Sequence, residues 1–321
     1  MVGGYGQGGR KKALLIGINY TGTDCELGGC INDANNLKKL LLTKGYKDEP
    51  HSMLLLTDDQ EEDMYQPTTA NILGAINWLL HGAQAGDTLW FSYSGHGGQI
   101  EDQDGDRENG LDDTICPVDG NESGQIDSDT LHRYLYTNLP PNVKLVVLMD
   151  CCHSGTLLEL PYSYMPTEDG KMDTKKIVAH GVNVVNNVVG LFKGGFSVNK
   201  LREAKKVMDD VKQLTQMLKG SSVDDKGYKK ENFLENAEEP AKEVYMIAGC
   251  IDDGTSTDAW MKGKATGALT FAFLSTIKKN PSVTFEQLLA SLREFMVKEE
   301  MDQIPQLSCG HTVDPQTPFT F

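Results

Sequence analysis

TLWFSYSGHGG (residues 88–98) and KLVVLMDCCHSG (residues 144–155) share one pattern. Each begins as a short apolar run of strand length and ends in a group of polar, reactive and glycine residues. Such runs are typical of strands that are buried on both faces of a parallel sheet. Because ligands of parallel sheets bind at the carboxyl ends of the strands, residues 92–98 and 150–155 predict the position of a site.

The rest of the chain continues this alternation of strands and helices. Three further strands are predicted at residues 12–18, 53–57 and 244–248. Helices are predicted at residues 32–44 and 69–83, and two more, at residues 267–277 and 285–297, are expected to close the chain; Thr284 and Gln287 have the spacing of a capping box. The pattern predicts an α/β fold, with a mostly parallel central sheet flanked by helices on both faces.

An insertion interrupts this pattern. Residues 11–160 and 241–321 are predicted to build one domain, while residues 161–240 form an insertion or linker between the fourth and fifth strands. Within it, Leu201 to Leu218 has the apolar spacing of an amphipathic helix. Residues 1–10 are Gly-rich and are predicted to form a flexible tail or the stub of a longer low-complexity region.

Composition excludes several classes of protein. The 321 residues carry a formal net charge of −16, which argues against nucleic-acid binding through a broad basic surface. No apolar run approaches a membrane span, and no secretory signal opens the chain. We therefore expect a soluble protein of the cytoplasm, with the nucleus as a second compartment.

The seven cysteines are expected to be free thiols. Cys25 and Cys30 lack a second close Cys or His pair, so no structural zinc site is predicted.

The two strand-end groups pair a thiol with an imidazole. A thiol needs a base or a positive neighbour to become a thiolate near neutral pH, and His96 on an adjacent strand end supplies one. The backbone N–H groups of Gly97 and Cys152 are candidate donors to an oxyanion. At this level, Cys151 and Cys152 are equally plausible as the nucleophile. The chain lacks a G-x-S-x-G elbow, a phosphate-binding loop and the Arg of a cysteine phosphatase, whose position is Leu158.

The sequence resembles the metacaspases, the caspase-related cysteine peptidases of fungi, plants and protists. The resemblance rests on motifs that span nearly the whole chain in order: IGINY (16–20), GCIND (29–33), YSGHG (93–97), DCCHSG (150–155), GC (249–250), TSTD (255–258) and PQL (305–307). The insertion of residues 161–240 resembles the type I arrangement. The resemblance implies a caspase-like fold, a monomer, and a Cys–His dyad with Cys152 as nucleophile and His96 as base.

The resemblance also implies a specificity pocket and a cofactor. The pocket for the residue before the cut is expected at Cys30, Asp33, Ser94 and Asp150, whose two carboxylates favour Arg or Lys. Calcium is the expected cofactor. The matching positions are Asp112, Ser128, Asp129 and Glu159, with Asp127 as a substitute for the Asp that Ser128 replaces. The run Asp102-x-Asp104-x-Asp106 is interpreted as an acidic loop, because Arg107 stands where an EF-hand needs Gly.

Charge is distributed unevenly along the chain. Residues 101–129 hold eleven Asp or Glu and one Arg, whereas residues 171–230 hold thirteen Lys or Arg and six Asp or Glu. One hypothesis is that the basic insertion lies over the acidic cleft and is cut by the enzyme itself, at a local concentration in the mM range. Other polypeptides with Arg or Lys before the cut are the expected substrates. The alternatives are a solvated insertion without a regulatory role and, for the whole protein, a catalytically idle calcium-responsive scaffold or protein-quality factor.

Overall fold

The computed structural model describes residues 9–103, 110–166, 172–173, 242–251, 267–301 and 303–321. Residues 1–8, the predicted amphipathic helix at 201–218 and the motif at 255–258 lie outside these ranges. Most of the predicted basic insertion also lies outside them, but residues 162–166 form a strand of the main sheet. Among the described residues, no helix combines the length and hydropathy that a membrane span requires.

Strands and helices alternate through the described residues. The strands are β1 (Lys11–Gly17), β2 (Met53–Thr57), β3 (Thr88–Ser94), β4 (Gly97–Glu101), β5 (Leu111–Ile115), β6 (Ile126–Asp127), β7 (Lys144–Asp150), β8 (Tyr162–Pro166), β9 (Met172–Asp173), β10 (Val244–Ile251) and β11 (Gln303–Cys309). The helices are α1 (Cys30–Thr43), α2 (Thr69–Leu80), α3 (Gly120–Ser123), α4 (Ser128–Leu131), α5 (Ala268–Lys279) and α6 (Phe285–Lys298). A 3-10 turn (Asp63–Tyr65) and a π-helical turn (His132–Thr137) complete the set.

The main sheet is mostly parallel. Its described strands follow the order β2-β1-β3-β7-β10-β11-β8-β9. The first five strands pair in parallel, and β11, β8 and β9 extend the sheet by antiparallel pairing. The expected caspase-like α/β architecture is therefore present, with β4, β5 and β6 as a small antiparallel sheet beside the carboxyl ends of the parallel strands.

Helices cover both faces of the main sheet. Side chains of β7 alternate between two cores: Leu145, Val147 and Met149 pack in the core that contains α2, whereas Val146 and Leu148 pack in the core that contains α1, α5 and α6. This period of two is the signature of a strand that is buried on both faces. The position of a residue in this alternation therefore decides which face of the sheet its side chain reaches, and this holds for the reactive residues at the strand ends.

The ends of the four predicted domain helices lie within a few residues of their predicted positions. The capping box of α6 is present, since the Thr284 side chain accepts from the Gln287 N–H and the Gln287 side chain accepts from the Thr284 N–H. The prediction that two helices close the chain is wrong, because β11 follows α6 and enters the sheet. This strand was missed because its run QIPQLSC contains Pro305 and polar residues that do not alternate.

Candidate active site

The pairing register brings the two reactive groups together. In the β3–β7 pair, Ser94 lies opposite Asp150 at the carboxyl ends of the two strands. His96 and Cys152 each follow their strand by two residues, so they leave the sheet at the same level on neighbouring strands. Both residues are half-buried. The site that the sequence predicts at the strand ends therefore has a common location.

Gly97 makes this close approach possible. A Cβ at position 97 would overlap the carbonyl oxygen of Cys152 and would lie 3.3 Å from its backbone nitrogen. Any other residue would therefore push the His96 segment away from the nucleophile segment. The two backbones that carry the predicted oxyanion donors, Gly97 and Cys152, are in direct contact.

His96 has an oriented ring. Its Nε2 lies 2.8 Å from the carbonyl oxygen of Cys25, in the loop between β1 and α1. Since a carbonyl oxygen can only accept a hydrogen bond, this contact places the proton on Nε2 and leaves Nδ1 as the basic nitrogen of the neutral ring. A backbone carbonyl as the orienting group could not be predicted from the sequence, because no side-chain pattern marks one.

The two adjacent cysteines have different environments. Cys151 is 1% exposed and continues the β7 face that packs into the α2 core, whereas Cys152 is half-buried. Burial raises the pKa of the Cys151 thiol well above its usual value. Burial, followed by the nearby charge of Asp150, also raises the pKa of Cys152. Position in the alternation of β7 thus separates two residues of identical chemistry.

The loop after Cys152 is fixed from behind. Ser154 Oγ donates to the carbonyl of Gly249 on β10 at 2.8 Å. The Gln306 amide donates to the carbonyl of Gly155 at 2.7 Å and to Ser308 Oγ at 2.9 Å. All these groups are buried, and buried networks that are well satisfied hold their members rigidly. The later motifs GC (249–250) and PQL (305–307) therefore contact the nucleophile loop.

The four residues of the predicted pocket come together. Cys30, Asp33, Ser94 and Asp150 are all buried, and they lie close enough for Ser94 to hydrogen-bond and for the Asp33 and Asp150 charges to affect the Cys30 thiol. Ser94 Oγ donates to Asp33 Oδ2 at 2.9 Å. The backbone N–H of Thr270, in the first turn of α5, donates to Asp150 Oδ2 at 2.7 Å. One oxygen of Asp150 therefore caps a helix, a role that the sequence could not reveal.

Among the described residues, no Lys or Arg pairs with the carboxylates of this pocket. Burial, with the adjacent Asp150 as the second cause, raises the pKa of Asp33 to about 7. Burial also raises the pKa of Asp150, although the Thr270 N–H opposes the shift. Asp150 Oδ1 is buried and has no hydrogen bond of good geometry from the described residues, although the N–H groups of Gly267 and Leu269 lie near the carboxylate and oppose the rise of its pKa. Such a group is costly in an empty pocket, and a bound cation with N–H donors would satisfy it.

A second cluster of carboxylates includes a residue of the small sheet. Single oxygens of Asp112, Asp129 and Glu159 lie within 4.8 Å of one another, and Asp112 and Glu159 are buried. The three residues come from β5, α4 and the loop after Cys152, so sequence spacing alone does not reveal their proximity. Carboxylate oxygens at this separation suit a hard cation such as Ca²⁺.

The other two predicted calcium ligands differ from these three. Asp127 is the N-cap of α4, and its Oδ1 accepts from the Thr130 N–H at 2.8 Å. Ser128 is fully buried at the start of α4. Within the described residues, Asp127 is not part of the carboxylate cluster. The geometry thus favours Asp112, Asp129 and Glu159 as the charged ligands and gives Asp127 a structural role.

Comparison with known proteins identifies the family. The metacaspase peptidase C14 domain matches residues 11–161. Metacaspase-1 of Mycosarcoma maydis is 40% identical over 313 residues, which cover 95% of this chain and 72% of the relative. Metacaspase-1A of Aspergillus clavatus is 41% identical over 307 residues, which cover 95% and 67%. A solved protein from Geobacter sulfurreducens has a TM-score of 0.52 at 20% identity, covering 97% of this chain and 98% of its own, which supports the fold alone.

The fold and the strand-end site define a caspase-family cysteine peptidase. The chain belongs to the metacaspase family. It is therefore a hydrolase of the cysteine-peptidase type.

Proposed function

We propose that this metacaspase is a calcium-dependent endopeptidase that cuts after Arg or Lys through a Cys152–His96 dyad. One observation carries the proposal: the β3–β7 register sets His96 and Cys152 at neighbouring strand ends, beside the buried carboxylates of Asp33 and Asp150. A nucleophile, a base and a pocket for a cation then lie in one cleft. This combination matches peptide cleavage after a basic residue.

The dyad follows from burial and hydrogen bonding. Cys152 is at the cleft and Cys151 is in the core, so Cys152 is the thiol that a substrate carbonyl can reach. His96 donates through Nε2 to the Cys25 carbonyl, and its Nδ1 takes the proton from the Cys152 thiol. The thiolate attacks the substrate carbonyl carbon, and the resulting imidazolium protonates the leaving amine. Water then hydrolyses the thioester, with His96 again acting as the base.

The oxyanion donors are proposed from the same contact. The backbones of Gly97 and Cys152 touch, so their N–H groups can serve one tetrahedral oxygen when the substrate binds. Each such donor is typically worth about 3 kcal/mol of transition-state stabilisation. A side chain at position 97 would remove both the space and the pairing of these donors.

The preference for Arg or Lys rests on the electrostatics of the pocket. Asp33 and Asp150 face each other's charge in a buried site, and Asp150 Oδ1 has no hydrogen bond of good geometry from the described residues. A guanidinium or ammonium group supplies both the positive charge and the missing N–H donors. An acidic residue before the cut would add a third negative charge, so cleavage after Asp is not expected.

Calcium is proposed to bind at Asp112, Asp129 and Glu159. When bound, the ion supplies positive charge that offsets three converging carboxylates. These residues belong to β5, α4 and the loop that follows the nucleophile, so neutralising them favours the arrangement in which the three segments stay together. The basic insertion, as a type I linker and an intramolecular substrate, remains part of the proposal because its charge suits the acidic pocket.

The test is hydrolysis of matched fluorogenic peptides. Wild type and Cys152→Ala are assayed on peptides with Arg or with citrulline before the reporter group, in calcium and in chelator. We expect turnover with wild type, Arg and calcium together, and at least about 100-fold less when any one is replaced. Equal hydrolysis of the citrulline peptide would contradict the pocket assignment. No hydrolysis under any condition would favour the idle scaffold.

A further inference from the structure

Tyr20 ends the motif IGINY (16–20), for which the proposed function gives no role. The residue is buried, and its backbone has a φ of +50°, a conformation that residues other than glycine seldom adopt. Such strain is tolerated where the surrounding contacts determine the position of a residue. The side-chain contacts of Tyr20 include His96, Tyr93 and Cys116.

The Tyr20 side chain contacts His96 in two ways. Its Oη accepts a hydrogen bond from the His96 backbone N–H at 3.0 Å and donates to the carbonyl oxygen of Cys116 at 2.6 Å. Its ring lies 4.7 Å from the His96 ring, between centroids, at an interplanar angle of 39°. One residue therefore limits both the backbone and the ring of the proposed base.

Tyr93 holds the other side of the same peptide segment. Its Oη donates to the His96 carbonyl at 2.7 Å and accepts from the Cys116 N–H at 3.2 Å. The Cys116 N–H also donates to the His96 carbonyl at 3.1 Å, and the two tyrosine oxygens are 3.0 Å apart. The backbone amide and carbonyl of His96 are thus both bound by buried tyrosine hydroxyls.

The glycines on both sides of His96 explain why the hydrogen bonds from Tyr20 and Tyr93 matter. Gly95 and Gly97 allow the backbone of this segment more conformations than other residues would. A general base must instead be held in one position relative to the group that it deprotonates. A Cβ at position 95 would lie 2.8 Å from Tyr93 Oη and 3.0 Å from Tyr20 Oη, so the missing side chain is also what admits the hydroxyls. Burial raises the pKa of both tyrosines, which keeps the hydroxyls protonated as donors.

We propose that Tyr20 is a positioning residue that, with Tyr93, fixes His96 against Cys152 through its hydroxyl and ring. The inference rests on the proposed function, because it concerns the base of that reaction. The hydroxyl of Tyr20 contributes to the placement of His96 and not to binding of the residue before the cut.

The experiment compares Tyr20→Phe with Tyr46→Phe. Tyr20→Phe keeps the ring and deletes the hydroxyl, whereas Tyr46→Phe deletes another buried hydroxyl, one that has no hydrogen-bond partner among the described residues. We measure kcat and KM on the Arg peptide, and the pH dependence of Cys152 alkylation by iodoacetamide, read at that residue by mass spectrometry. For Tyr20→Phe we expect kcat to fall about 10-fold with KM within about 2-fold, since small misplacement of a base is costly. The alkylation midpoint should move to higher pH, and Tyr46→Phe should behave as wild type.

The outcomes separate this inference from the proposed function. If wild type hydrolyses the Arg peptide and Tyr20→Phe matches it in both readouts, the inference fails and the proposed function stands. A lower kcat with an unchanged alkylation midpoint gives the hydroxyl a structural role only and also overturns the inference. If Tyr20→Phe does not fold, Tyr93→Phe removes the hydroxyl on the carbonyl side, and the same results decide. If wild type has no activity, the proposed function fails first.

Discussion

At the residue scale, the proposed pocket depends on two buried carboxylates whose ionised forms are disfavoured. Asp33 and Asp150 are buried close to each other. Ser94 Oγ donates to one oxygen of Asp33, and the Thr270 N–H donates to one oxygen of Asp150. The pKa of Asp33 is about 7 because burial and the charge of Asp150 both disfavour its ionised form. A cation bound beside the two carboxylates, as proposed for the substrate, would favour the ionised form of Asp33. The pocket is thus better satisfied when it is occupied than when it is empty.

The pH dependence of cation binding tests this account of the pocket. Below about pH 7, Asp33 is protonated in the free protein, so binding of a cation must displace a proton. We expect the affinity for benzamidine, measured by calorimetry, to rise with pH by up to about tenfold per unit and to level off above about pH 7. Asp33→Asn should bind benzamidine more weakly and without this rise. Wild-type affinity that stays constant from about pH 5 to about pH 8 would contradict the assignment.

At the element scale, the register of two strands places the chemistry. The alternation of β7 sends Cys151, after Leu145, Val147 and Met149, into the α2 core. Both faces of β7 are buried, so the alternation alone does not show from the sequence which cysteine reaches the site. The five parallel strands were predictable from their apolar runs, and α6 from its capping box. The strands β4, β5, β6, β8 and β11 were not, because short or polar strands depend on tertiary pairing more than on local pattern.

Gly97 offers a test of the contact between the two strand-end segments. Gly97→Ala should lower activity at least about 100-fold, because the new methyl group overlaps the Cys152 carbonyl and separates the segments. It should also destabilise the fold by about 1–3 kcal/mol, measured by denaturant unfolding. Gly74→Ala is the matched control: Gly74 is exposed within α2, no atom lies within 4 Å of its Cβ position, and alanine should stabilise that helix by about 0.5–1 kcal/mol. A fully active Gly97→Ala would contradict the proposed contact.

At the scale of the whole molecule, two sites share one edge of the sheet. The proposed dyad and pocket lie at the ends of β3 and β7, and the carboxylate cluster joins β5 and α4 to the loop after Cys152. Sequence comparison with a known family supplied the members of both sites. Sequence could not show the proximity of Asp112, Asp129 and Glu159, the helix-capping role of Asp127, or the contacts of Cys25 and Tyr20, because each arises only when distant segments meet.

Two nearby aspartates allow a controlled test of the cation site. Asp129→Asn removes a charge from the cluster and should weaken calcium binding at least about tenfold, measured by calorimetry. Asp127→Ser should retain wild-type affinity, because the Asp127 carboxylate caps α4 and serine is an equally good N-cap. If Asp127→Ser weakened binding as much as Asp129→Asn, Asp127 would be a ligand and the assignment of the cluster would be wrong.

The most direct measurement for the account as a whole is the site of covalent labelling by an arginine-based acyloxymethyl ketone. This reagent carries a guanidinium for the pocket and a carbonyl group for the nucleophile, so it tests the pocket and the thiol at once. We predict one adduct per chain, located at Cys152 by peptide mapping, and its loss when benzamidine competes or when Asp33 is replaced by Asn. An adduct at Cys151 or at another cysteine, or labelling that is unaffected by benzamidine, would contradict the account.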